Sequence, residues 1–80
     1  MKYIVIEFQT FANGAMSTPS WSYDDFAEAK AKYYTVLAAA VVSDLPVHSC
    51  AIMNNEGTLI NKECIRHPVE EEEENEQQNV

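Results

Sequence analysis

The sequence predicts an α+β fold in two layers, a single domain over residues 1–67 in the order ββαββ. One long helix should lie on an antiparallel sheet of about four strands. Three observations carry this. The first ten residues alternate like a strand, residues 25–43 follow a helical period, and two further β-branched segments flank Asn55-Glu56-Gly57. The lengths agree as well. A helix of 19 residues spans roughly 28 Å, and a strand of eight spans about 27 Å.

From Lys2 to Thr10, Ile4, Ile6 and Phe8 share one parity, and Tyr3, Val5, Glu7 and Gln9 share the other. The first set makes one clearly apolar face. Asn13-Gly14 predicts a hairpin through a type I′ turn, which needs positive φ at both positions. A second strand should run from about Ala15 to Tyr23. Pro19 lacks an N–H, so this strand is an edge or is interrupted there.

Asp25 is a good N-cap, and Glu28 three residues later approximates a capping box. Six alanines between positions 27 and 40 favour the helix, which Pro46 ends. Phe26, Ala29, Tyr33, Val36, Leu37 and Ala40 form an apolar stripe that should face the sheet. Ala27, Ala31, Tyr34, Ala38 and Val41 form a second stripe. Val47 to Met53 and Leu59 to His67 are two more strands, joined by a three-residue loop with Gly57 last.

The formal charge of −8 is unevenly spread. Six of 13 acids lie between Glu70 and Glu76, so residues 1–69 hold seven acids and five bases. The segment 68–80 is an acidic tail too polar to bury, and disorder is expected of it. Binding to a nucleic-acid backbone is disfavoured, because it needs several Lys or Arg contacts to phosphate. The weakly polar run from Tyr33 to Val42 has ten residues, half of a membrane span. No signal peptide is readable at the N-terminus, which predicts a cytoplasmic protein with reduced thiols.

One helix covers one sheet face. The open face of the first strand should then present Tyr3 and Val5, and the helix keeps its spare stripe. Patches of that kind predict a homodimer or higher oligomer. The competing arrangement is an irregular second strand that wraps over the helix.

Residues that could carry chemistry each have a plain structural reading. His48, Cys50 and Cys64 would share a strand face, with His48 opposite Cys64, yet their spacing matches no zinc motif. Core packing, or a Cys50–Cys64 disulfide, accounts for the cysteines, and no metal or cofactor is expected. Ser43, Asp44, His48 and Ser49 hold the letters of a hydrolytic triad, but they cluster in one connection where Ser and Asp cap and turn. Two glycines in all leave no phosphate loop. Trp21, Tyr23 and Tyr34 supply aromatic surface, and Lys62 and Arg66 supply charge on the last strand. With His48 these are the candidate ligand-binding residues, suited to a nucleotide-like small molecule. Taken singly, each also fits core, interface or solvated strand. An oligomer could join Trp21 or Tyr34 of one chain to Arg66 of another.

Tyr3-Ile4-Val5-Ile6-Glu7, Asn13-Gly14, Tyr23-Asp24-Asp25 before the Ala-rich helix with Tyr33-Tyr34, and Leu45-Pro46-Val47-His48-Ser49 form an overall pattern. It resembles small phage- and prophage-encoded proteins of Firmicutes-type bacteria, over about residues 3–67. The resemblance transfers no activity and no functional residues. It implies a viral protein in a bacterial cytosol, a setting in which small accessory proteins often sequester nucleotide-type immune signals. The leading expectation is therefore a non-enzymatic, homo-oligomeric binding protein with an anti-defence role. The alternatives are an accessory of the virion, an inhibitor of a host protein, and a small hydrolase that depends on His48.

Overall fold

The structure is a computed structural model that describes residues 1–68. The acidic tail lies, apart from Pro68, outside the described residues. The element order is β1 (Tyr3–Thr10), β2 (Met16–Ser17), β3 (Ser20–Tyr23), α1 (Phe26–Val42), β4 (Val47–Asn54) and β5 (Leu59–Arg66). One antiparallel sheet results. β1 lies between β4 and the two short strands β2 and β3, and β5 forms the far edge beyond β4. No helix among the described residues is long and apolar enough to cross a membrane.

The second strand is both an edge and interrupted. Met16 and Ser17 pair with Thr10 and Gln9, the chain leaves the ladder at Thr18-Pro19, and Ser20 to Tyr23 pair with Ile6 to Tyr3. It therefore does not wrap over the helix. The Asn13-Gly14 hairpin forms, but through a three-residue loop and not a type I′ turn. Phe11 N–H donates to Ala15 O and Gly14 N–H to Phe11 O, both at 2.9 Å. Gly14 takes φ +90°, and the Asn13 side chain accepts from Ala15 N–H, a local bond that competes with the tighter turn. The loop at Asn55-Glu56-Gly57 closes in the same way, with Gly57 at φ +85°.

α1 is capped at its start by Asp25, whose carboxylate accepts from Ala27 N–H at 3.1 Å. It ends at Ser43, which caps Ala40 O with its N–H. Ala29, Tyr33, Val36 and Ala40 are its buried positions, and the first three pack with Val5, Cys50 and Ile52. The first apolar stripe thus meets the sheet, and Ala27, Ala31, Tyr34, Ala38 and Val41 stay exposed.

The sheet presents the opposite parity of β1 from the one expected. Val5 is fully buried under α1, with Tyr3 packed against the same core. Ile4, Ile6 and Phe8 point to the other face, which no element among the described residues covers. The reason lies in β4. Val5, Glu7 and Gln9 stand opposite Ile52, Cys50 and His48, so one face gathers the residues that α1 can seal. The strand's most apolar side is the one left open.

Candidate functional site

The open face is built by register. Directly paired residues share a face, so Ile4, Ile6 and Phe8 continue into Met53, Ala51 and Ser49 of β4. Beyond them stand Leu59, Lys62 and Cys64 of β5, and Arg66 follows opposite Val47. On the other side Ser22 and Ser20 pair with Ile4 and Ile6. The face is apolar at its centre, cationic along β5 and hydroxyl-bearing along β3. A groove of about 510 Å³ runs over it, lined by Phe8, residues 49–51 and residues 62–64. The Phe8 ring stands on the β1 side and the Lys62 ammonium on the β5 side, Glu63 also lines the groove, and the volume suits a small molecule.

A β-bulge decides who stands in that groove. Met53 pairs with Leu59, but Ile52 pairs with Asn61, so Ile60 is an extra residue. The shift of one places Cys64 opposite Ser49, and Ile65 opposite His48. Cys64 therefore leaves the face of His48 and Cys50, against the expected register. The three soft ligands are not brought together, and both cysteines are free thiols on opposite faces. Burial pushes the Cys50 thiol up to about 11, with a further rise from the nearby Glu7 carboxylate.

The second constellation is buried at the C-terminal end of α1. His48, 4% exposed, reaches Ser43 Oγ with Nδ1 at 3.0 Å and Glu7 Oε2 with Nε2 at 2.6 Å. Gln9 Nε2 also donates to Glu7 Oε2 at 3.2 Å. Ser43 Oγ lies 3.2 Å from Ala40 O, and His67 Nε2 donates to that same carbonyl at 2.9 Å. A neutral imidazole would donate to Glu7 and accept from Ser43. A protonated one would donate to both, with the serine proton turned to Ala40 O. Either way the chain of bonds ties the helix end to β4 and β1. The serine is a helix cap bonded in place, and the imidazole between it and the acid is shielded from solvent. The geometry is that of a clasp.

The six residues singled out from the sequence fall on two sides of the sheet. Trp21 and Tyr23 pack at the rim of the helix-side core, and Lys32 Nζ lies 4.1 Å from the Trp21 ring centroid. Tyr34, 53% exposed, sits outside α1 with its ring edge-on to Tyr33. Tyr33 itself is buried, its hydroxyl has no hydrogen-bond partner among the described residues, and burial raises its pKa. Lys62 and Arg66 belong to the open face, and His48 to the clasp. One chain joins Lys62 to Phe8 but does not join either cation to Trp21, Tyr23 or Tyr34. Sequence reasoning passed over Phe8, Glu7 and His67. A signal for Glu7 existed: it is the one acid in an otherwise uncharged β1, and it shares parity with Val5. No family model, no curated protein and no solved structure matches the chain.

Proposed function

We propose that this chain is a non-enzymatic, self-associating binding protein that captures an anionic, nucleotide-type small molecule and holds it unchanged. The observation that carries the reading is the groove on the open sheet face. There Phe8 offers a ring for stacking, Lys62 offers charge to a phosphate, and Arg66 extends the cationic edge. The apolar floor around Ile4, Ile6 and Met53 supports self-association, because a monomer rarely leaves such a face to water. The resemblance to phage proteins supports placing the capture in an infected bacterial cytosol. Withdrawing a signal nucleotide there would blunt a host defence. The buried clasp of Ser43, His48 and Glu7 supports the non-enzymatic part, since its serine and histidine are engaged in holding the helix end.

Titration calorimetry with mononucleotides, cyclic dinucleotides and ADP-ribose tests the proposal. One class should bind in the micromolar range and be recovered intact after heating the complex. Lys62→Ala should weaken that binding about tenfold, the loss of one charge-assisted contact. Turnover of the ligand, or no heat and no thermal shift with any of them at about 1 mM, overturns it.

A further inference from the structure

We infer that a second copy of the chain covers the open sheet face, related by a twofold axis running parallel to the strands, so that β5 of one copy lies over β3 of the other. The inference rests on the proposed self-association and adds its surface, its symmetry and the composition of the ligand site.

Area comes first. The face spans four strand positions, each about 4.8 Å wide, and strands of about 27 Å. That is roughly 500 Å² per copy and about 1,000 Å² for two, the lower bound of specific interfaces. The helix offers less. Its spare stripe is three alanines with Tyr34 and Val41, on a cylinder that meets a partner along a line.

Charge then selects the symmetry. Among the described strand residues, the charged side chains that register places on this face are Lys62 and Arg66 of β5. Glu63, which also lines the groove, stands opposite Cys50 on the helix side, and Lys2 at the end of β1 is paired with Asp24. A twofold axis running across the strands would stack β5 on β5, bringing the Lys62 and Arg66 edge of one copy over that of the other at a sheet spacing of about 10 Å. That spacing is about one Debye length, so the repulsion is felt. An axis along the strands moves each cationic edge over the uncharged edge of Ser20 and Ser22. Height along the strands is kept by this operation. Lys62 stands level with Ile6 and Ser20 in one chain, so it comes to lie over Ser20 of the second copy. The apolar centres of Ile4, Ile6, Ala51 and Met53 then meet as in a sandwich core.

The groove beside Phe8 thereby gains a second wall. Two equivalent ligand sites result, each with Phe8 and Lys62 from one copy and the Ser20 hydroxyl from the other. A partner of different sequence would not need to match this division of charge, whereas a second copy matches it by symmetry.

Sedimentation of the full chain at micromolar concentration, with chemical cross-linking, tests the inference. The unmodified chain should run as a dimer, and Ile6→Glu and Leu59→Glu should each run as a monomer with unchanged circular dichroism. Val42→Glu, at an 83% exposed position on the helix, should leave the dimer intact. A short bifunctional maleimide should link the Ser20→Cys variant to Cys64 of the second copy, and should not link the unmodified chain through Cys64 alone. A monomeric unmodified chain, including one whose open face binds some other protein, overturns both the inference and the self-association it rests on. A dimer dissociated by Val42→Glu but not by Ile6→Glu overturns the surface assignment and leaves the proposed function standing. A Cys64-to-Cys64 link in the unmodified chain overturns the axis.

Discussion

Two buried residues set the sharpest residue-scale expectations. His48 gives Glu7 its closest partner, and the Glu7 side chain is only 13% exposed. Removing the imidazole leaves a carboxylate with Gln9 as its remaining side-chain partner, so His48→Ala should cost about 3 kcal/mol of stability. Replacing both partners, with Glu7→Gln added in the same chain, should recover part of the loss. Urea denaturation of the two singles and the double measures this coupling, and additive losses would show the clasp to be idle. Cys50 gives a pH expectation. Its thiol is pushed up to about 11 by burial, above its unfolded value, so its contribution to stability is complete below about pH 9. That contribution is lost as pH rises toward 11, and Tyr33, shifted in the same direction by burial, adds to the loss. Native protein at pH 8 should therefore show one fast thiol, Cys64, and a second only on unfolding. Two fast thiols would contradict the burial of Cys50.

Elements were legible where one local rule decided them. Asp25 begins α1 because its carboxylate replaces a missing partner for the helix N–H groups, and Asp25→Ala should cost about 1 kcal/mol. In a domain of this size that lowers the melting temperature by roughly 5 °C, and calorimetry reads it directly. The break at Pro19, the helix limits and the loop at Gly57 follow from equally local chemistry. Two features escaped for a common reason: each depends on a partner distant in sequence. Ile4, Ile6 and Phe8 alone predict that the more apolar side of β1 is inside. The parity is set instead by which side of β4 carries Ile52, Cys50 and His48 for α1 to cover. The bulge at Ile60 has no sequence mark of its own, yet it moves Cys64 to the other face and separates it from His48. The candidate cations were legible as residue types. Their neighbour Phe8 was not, because only the register makes them neighbours.

At the scale of the whole molecule, the described residues form one helix on one sheet, with half of the sheet's surface left to solvent. A chain this small buries only about 60% of the surface its unfolded form exposes, so a face on which Ile4, Ile6, Phe8 and Met53 are only half-buried leaves apolar area still to be gained. Association by that face draws folding and dimerisation into one equilibrium, in which partner concentration acts as a ligand concentration. The melting temperature should therefore rise with total protein, by about 3 °C or more for each tenfold increase. Ile6→Glu should melt lower and at a temperature that no longer depends on concentration, since the face it alters is the one that couples the two copies. Val42→Glu should keep the full dependence. Differential scanning calorimetry across two decades of concentration separates these cases. A melting temperature that is the same for the unmodified chain at both ends of that range would mean the open face is stable in water without a second copy, and that the apolar surplus serves the ligand alone.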